Sequence, residues 1–291
     1  MQHIFAIVGV IQKPAASVEE EPVEIAVPLV YALLADKTQA SYAAVLRAVR
    51  DFAETAGIEN VTPPTCMMDF ELAVKNAVEE VFPHSAVRYC FFHLGRSVYR
   101  RVQAEGLQEK YNDADDRSVK EGTHMLLALA FVPVSDLRPA FTGLYDELPD
   151  DLLPVPDYFE EMYLFGRRGR GRRAAVLPRY PPAFWNTYES TLDNHHRTNN
   201  LSEGWHNKFQ QAVGKHHPSL YSALQEFLRE QADTESIITA LDLGQAVKAK
   251  PKKKWRIMMD RMRRVVASYE IYKDDNDTLS YLRHLGHNIA L

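Results

Sequence analysis

The sequence predicts an α/β fold, and two observations lead to it. Short apolar stretches rich in β-branched residues alternate with stretches whose apolar residues recur at helical spacing. Along the N-terminal third of the chain they give the order strand, strand, helix, strand, helix, strand, helix. That order is typical of a sheet of apolar strands covered by helices.

The first elements follow from local composition. Residues 3–11 and 23–34 are predicted strands, and the two could pair as a hairpin. The second is apolar almost throughout, which predicts burial on both faces. Residues 38–57 have helical periodicity, and Gly57 is a suitable residue to end the helix.

The same reading extends along the rest of the chain. It predicts strands at 65–70 and 85–90 and helices at 71–82 and 91–106. Residues 107–165 are predicted to be mostly helical, and "GTHMLLALAFVP" is their most apolar piece. A loop rich in Gly, Pro and Arg follows. Further helices are then expected at 201–213, 219–241 and 255–272.

Composition limits the class of protein. The chain has 291 residues, a net charge of −5 and 46% hydrophobic residues, as a soluble globular protein would. It is therefore not a polycation, and no apolar run long enough to predict a membrane span is present. Two segments are nevertheless basic, "RRGRGRR" at 167–173 and "KAKPKKKWR" at 248–256. Each could contact phosphates or, in the second case, direct nuclear import; each could equally be a solvated charged loop.

Asp69 is the first candidate for chemistry. It ends a short apolar strand at the point where a helix begins. Functional side chains often emerge at such strand ends, and a carboxylate held there can bind a hard cation such as Mg²⁺. The alternative is that Asp69 merely caps the following helix.

Cys90 and His93 form a CxxH pair at the next strand-to-helix junction. This spacing suits zinc, but a closed zinc site needs four ligands. His195 and His196 could supply the others. The alternative is a buried cysteine and a helix-start histidine that serve packing and hydrogen bonding.

The stretch "RTNNLSEGWHNKF" at 197–209 is the third candidate. Asn200 with Glu203 three residues later has the spacing of a capping box. Taken alone, the stretch therefore favours a capped helix start.

Taken in order, these pieces resemble the Mutator-like element (MULE) transposases. The resemblance rests on "DFELAVKNAVEEVFPHSAVRYCFFHL", "FWN" and "RTNNLSEGWHNKF", and it extends over about residues 3–230. It implies an RNase H-like core with a helical insertion before the last acid and a helical C-terminal part. It also implies DNA transposition by a D-D-E triad that binds two divalent metal ions, Mg²⁺ or Mn²⁺.

The resemblance assigns roles residue by residue. Asp69 matches the second aspartate and Glu203 the glutamate, while Cys90 and His93 match the CxxH motif. The further expectations are as follows: Asn199, Asn200 and His206 support the site, and Arg167, Arg168, Arg170, Arg172, Arg173, Lys252, Lys253 and Lys254 are candidates for DNA contact.

The expected organisation has four parts: the core at 1–104, the insertion with its basic loop at 105–196, the returning core helices at 197–241 and a basic linker with C-terminal helices at 242–291. The expected partner is double-stranded DNA, the transposon ends and the target, with a homo-oligomer as a further option. No membrane association is expected. The expected location is the nucleus.

One position departs from the family. Its first aspartate lies on a strand before the one that matches residues 3–11, and no residue of this chain matches that position or that strand. We therefore expect a chain that lacks the first strand of the core and is impaired as a nuclease. The alternative is a domesticated, non-catalytic module that binds DNA or protein.

Overall fold

The computed structural model describes residues 3–13, 23–59, 61–167, 174–193, 209, 211, 219–243, 245 and 253–289. The strands are β1 (His3–Lys13), β2 (Val23–Leu34), β3 (Thr65–Met68) and β4 (Ala86–Tyr89). They form two separate two-stranded sheets, β1 with β2 and β3 with β4.

Helices make up most of the described residues. Those of the N-terminal half are α1 (Gln39–Thr55), α2 (Leu72–Val81), α3 (Phe91–Ala104), α4 (Gln108–Tyr111), α5 (Ser118–Ala128) and α6 (Leu137–Tyr145). The later ones are α7 (Pro154–Phe159), α8 (Pro182–Trp185), α9 (Tyr188–Leu192), α10 (Leu220–Asp242), α11 (Lys253–Ala267), α12 (Tyr269–Asp274) and α13 (Thr278–Gly286). The mixed α/β class is confirmed, while the RNase H-like core stays a prediction. No helix of the described residues is both long and apolar enough to cross a bilayer.

The β1–β2 pair is the predicted hairpin, with one irregularity. Ile7 lies opposite Val30 whereas Val8 lies opposite Pro28, so Leu29 is an extra residue in β2. A bulge is the expected outcome here, because proline cannot donate a ladder hydrogen bond. Leu29 is 57% exposed, so the prediction that β2 is buried on both faces is wrong at this point.

The chain divides into two compact units, each built from separate segments. The first contains residues 1–66, 71–86 and 199–250, and the second contains residues 67–70, 87–198 and 251–291. Neither unit is therefore a single continuous stretch of the chain.

In the first unit, helices cover both faces of the hairpin. The Phe5 ring lies 5.0 Å from that of Tyr42 on α1. The neighbouring residue Ile4 points to the other face, because side chains alternate along a strand, and it packs against a cluster that includes Phe227 of α10. Phe227 also stacks on Tyr31 of β2 at 4.8 Å.

In the second unit, the core is the segment that the sequence marks as most apolar. Leu126, Leu127 and Phe131 are fully buried. Helix α13 packs against α5, and the buried Tyr281 hydroxyl of α13 donates to the Phe131 carbonyl. Burial raises the pKa of Tyr281 well above its ordinary value, which keeps the hydroxyl protonated as a donor.

The helix predicted at 255–272 is interrupted, and the structure corrects it to α11 and α12. The break lies at Ser268, whose hydroxyl donates to the Arg264 carbonyl at 2.9 Å. The Ser268 N–H donates to the Val265 carbonyl at 3.1 Å, which is a tighter turn than an α-helix. A serine that bonds back into the preceding turn weakens a helix locally.

We predict that Phe227→Ala lowers the free energy of unfolding by about 3 kcal/mol, because it removes a buried ring that contacts both Phe209 and Tyr31. Urea unfolding followed by circular dichroism measures the change. The matched control is Leu228→Ala on the same helix, a side chain that is 72% exposed. Equal losses for the two variants would contradict this packing.

Candidate active site

Strands β3 and β4 pair with each other, and their C-terminal ends lie side by side. The Ala86 N–H donates to the Pro64 carbonyl at 3.0 Å, and the Cys90 N–H donates to the Met68 carbonyl at 2.9 Å. Both bonds join residues at the same sequence offset, so the strands run parallel, with α2 as their connection. The carboxyl ends of parallel strands lie at one edge, which is where ligands bind in α/β sheets.

Asp69 follows β3 at that edge and does not cap α2. The N-terminal cap of α2 is Glu71, whose side chain makes no capping bond. The Glu71 carboxylate instead accepts a hydrogen bond from the Tyr42 hydroxyl at 2.8 Å. The alternative that Asp69 serves as a helix cap is therefore wrong. Its side chain is 53% exposed and accessible to a ligand.

His93 contacts Asp69 directly. Its Nδ1 lies 3.1 Å from the Asp69 Oδ1, and its side chain is 22% exposed. Helix α3 begins at Phe91, so His93 lies in the first helical turn. The contact therefore joins the first turn of α3 to the end of β3.

Cys90 has a different role from His93. It is the N-terminal cap residue of α3 and is fully buried, and its N–H bonds to the end of β3. The two CxxH residues thus act on the same junction: Cys90 joins the backbones of β3 and α3, and His93 contacts the carboxylate. Among the described residues, no three His, Cys, Asp or Glu side chains gather as a metal-ligand group.

An aromatic cluster holds the residue after Asp69. The Phe70 ring stacks on Tyr89 at 4.6 Å and meets Tyr163 and Tyr180 edge-on at 5.5 and 5.0 Å. The Tyr180 hydroxyl donates to the Phe70 carbonyl at 3.0 Å. Phe70 is therefore fixed on both its ring and its backbone, and this restricts the backbone of Asp69.

Trp185 also belongs to this cluster, through contacts with Tyr163 and Tyr180. It is fully buried, and its indole N–H donates to the carbonyls of Tyr180 at 2.8 Å and Tyr163 at 3.1 Å. Sequence reasoning missed the positioning role of these aromatic residues. The available signal was "FWN", which contributes to the family resemblance but carries no obvious chemistry of its own.

The other predicted site residues are placed only in part. Glu203, Asn199, Asn200 and His206 lie outside the described residues, as do His195 and His196 of the zinc alternative, and their roles stay predictions. The same holds for Arg168, Arg170, Arg172, Arg173 and Lys252. Lys253 and Lys254 form the first residues of α11.

Arg167 closes the base of the basic loop. Its N–H and carbonyl both bond to Val176 at 2.8 Å, as in an antiparallel pair. Gly166 has a φ of +70°, and a Cβ there would lie 2.0 Å from the Val176 carbonyl oxygen, so this position requires glycine. The Arg167 guanidinium is 3.8 Å from the Glu161 carboxylate. This exposed pair leaves Arg167 accessible to a phosphate.

Part of this site lies in a region that matches a known family. The model of the MULE transposase domain matches residues 19–97. Over these residues the chain is similar to the MULE transposase family. The match contains Asp69, Cys90 and His93, so the recognition made from the motifs is confirmed over this range. No curated protein and no solved structure matches the chain.

Among the described residues of the matched range, Asp69 has the chemistry and exposure of a metal ligand. Asp69 offers a hard carboxylate oxygen that is half exposed, as Mg²⁺ or Mn²⁺ requires. His93 lies where an outer ligand would orient that carboxylate.

We predict that Tyr180→Phe lowers the free energy of unfolding by about 1 kcal/mol, because it removes the hydroxyl that donates to Phe70 but keeps the ring. Thermal and urea unfolding measure the loss. Tyr188→Phe is the control, since burial raises the pKa of Tyr188 but none of the hydrogen bonds described uses its hydroxyl. A loss as large in the control would contradict a specific role for Tyr180.

Proposed function

We propose that this chain is the catalytic part of a MULE-type DNA transposase, which cuts and joins DNA strands with divalent metal ions. The MULE domain indicates a transposase-family function. The observation that carries the catalytic proposal is the contact between Asp69 at the end of β3 and His93 of α3, 3.1 Å apart and inside the matched range.

In this proposal Asp69 and Glu203 hold the metal ions, Mg²⁺ or Mn²⁺. When bound, such ions activate a water or a 3′-hydroxyl and stabilise the charge that develops on the phosphate. Asp69 presents its carboxylate from a fixed strand end. His93 orients that carboxylate, while Cys90 and Phe70 hold the backbone on either side of the junction.

Rigidity of the Asp69 junction supports the proposal. Metal-assisted reactions lose rate steeply when a ligand is displaced by a fraction of an ångström, so active-site ligands are usually held by a second layer of contacts. Here that layer is the aromatic cluster around Phe70 and the parallel pairing of β3 and β4. A surface aspartate with no function does not require such support.

We predict that Asp69→Asn weakens Mn²⁺ binding at least tenfold, because it removes one anionic oxygen ligand. Calorimetry or electron paramagnetic resonance measures the affinity independently of any activity. The same variant should lose whatever Mn²⁺-dependent cleavage of a labelled DNA duplex the parent chain shows.

The matched control is Asp146→Asn, which neutralises an exposed carboxylate of the same unit. Unchanged Mn²⁺ affinity in Asp69→Asn would contradict the proposed metal site. Metal binding that Asp69→Asn weakens and Asp146→Asn leaves unchanged would support it.

A second candidate function is a non-catalytic module that binds DNA. Its supporting observation is the exposed face of α11. Arg261, Arg263 and Arg264 are exposed, whereas Met262 and Val266 on the opposite side are buried. None of the three arginines forms an ion pair with another described residue. Exposed guanidinium groups on one helix are suited to the phosphates of a DNA backbone.

We predict that the triple variant of Arg261, Arg263 and Arg264 to Gln weakens duplex binding about equally for all sequences. The slope of log affinity against log salt should fall by about 0.9 for each phosphate contact removed. Fluorescence anisotropy at several salt concentrations measures both effects. Arg50→Gln is the control, because Arg50 is already paired with Asp51 at 3.1 Å. An unchanged salt slope in the triple variant would contradict DNA binding by α11.

These experiments separate the two candidates. Salt-sensitive binding that depends on α11, without any metal-dependent cleavage, supports the binding module. Cleavage that depends on Asp69 supports the transposase. The nuclear location and the homo-oligomer remain proposals, for which import of the tagged chain and its mass in solution are the direct measurements.

A further inference from the structure

A cavity of about 480 Å³ lies in the second unit, among α3, α5 and α13. Tyr99 of α3, Tyr111, residues of the first turns of α5 and the C-terminal end of α13 line it. It is distinct from the Asp69 site, which none of its lining residues touches. Its size suits a single nucleotide or a similar small molecule.

Positive charge dominates the rim of this cavity. Arg117, Lys120 and Arg283 line it with three permanent positive charges, and His287 adds a further nitrogen ligand. The one carboxylate in the lining is Glu121, which lies 3.8 Å from Arg117. The balance of the fixed charges is therefore positive.

The floor of the cavity is a buried, neutral histidine. His124 is 9% exposed, and its Nδ1 lies 3.1 Å from the Gly286 carbonyl, which can only accept. Nδ1 therefore carries the proton, and Nε2 accepts from the Tyr111 hydroxyl at 2.8 Å.

The electrostatics of His124 show that the cations converge. Burial lowers the pKa of His124; the Gly286 carbonyl opposes this, and the charges of Lys120, Arg117 and His287 lower it further. Arg117 and Lys120, at the start of α5, therefore act on one imidazole. A bound anion would satisfy them together.

We propose that this cavity binds a phosphate monoester, as carried by a free nucleotide or by the 5′ end of a DNA strand. A monoester has a charge of about −1.5 to −2 at neutral pH, which matches three fixed cations less one carboxylate. Arginine binds phosphate oxygens in pairs; Arg283 lies on α13, and Arg117 immediately precedes α5. A concave site receives a terminal group more readily than an internal diester, whose strand must leave on both sides. The proposal does not depend on the Asp69 site.

The test uses the full chain and three probes: deoxyadenosine monophosphate, a single-stranded hexanucleotide with a 5′-phosphate and the same hexanucleotide without it. Calorimetry or anisotropy should show binding of both phosphorylated probes. The hexanucleotide without the terminal phosphate should bind at least tenfold more weakly than its phosphorylated form.

Variants of the lining give the decisive pattern. Lys120→Gln and Arg283→Gln should each weaken binding of the phosphorylated probes about tenfold, because each removes a charge-assisted hydrogen bond. Glu121→Gln should strengthen it, because it removes the opposing charge. Arg100→Gln, an exposed arginine of α3 outside the cavity lining, should leave it unchanged. Circular dichroism verifies the fold of each variant.

Each outcome decides a point. Tighter binding of the 5′-phosphorylated strand than of the mononucleotide assigns the cavity to a DNA end, and equal binding assigns it to a free nucleotide. Absence of binding at about 1 mM of both phosphorylated probes would overturn the proposal. The proposal would also be overturned if Lys120→Gln and Arg283→Gln left the affinities unchanged. Tighter binding of a phosphoserine peptide than of both phosphorylated probes would overturn it as well.

Discussion

The hydrogen bond from the Cys90 N–H to the Met68 carbonyl is the constraint on which the candidate active site depends. It aligns the end of β4 with the end of β3, so that the next residue of each segment emerges at one edge. Helix α3 starts immediately after Cys90, and one helical turn brings His93 to Asp69. The CxxH spacing is thus explained by geometry: a cysteine small enough to be fully buried at the cap, and a histidine three residues later that reaches the carboxylate.

The aromatic cluster explains how a four-residue strand can hold Asp69 in a fixed position. An isolated two-stranded ladder of this length has little stability of its own. Phe70 and Tyr89 extend the ladder into a packed core, and Tyr180 and Trp185 arrive there from a segment far along the chain. Hydrogen bonds from Tyr180 and Trp185 satisfy backbone carbonyls at the point where regular secondary structure ends. The segment that carries Tyr180 and Trp185 therefore supports the Asp69 junction physically.

The sequence predicts the local elements well and the long-range contacts poorly. The predicted strands near Asp69 and Cys90 agree with the observed ones to within two residues, because apolar runs and Pro83 are local signals. Leu29 is exposed at a bulge beside Pro28, which has no N–H to donate to the sheet. The helix break at Ser268 coincides with a hydrogen bond from its side chain. Hydrophobic periodicity contains neither kind of information. The contact of Tyr180 with Phe70 joins residues 110 positions apart, and no pattern within a window can show it. The grouping of Asp69, Cys90 and His93 is predicted because a family motif contains their spacing.

The interleaving of the two units has a consequence for how this protein can be divided. Residues 67–70, which include Asp69, belong to the second unit although the segments on both sides of them belong to the first. Neither unit is therefore encoded by one continuous stretch of the gene, so cutting the gene at any single codon cannot yield both units whole. Recombination between genes would therefore have to transfer the interleaved segments of both units together. Folding must also join distant segments before either unit is complete, which makes the topology intrinsically slow to form.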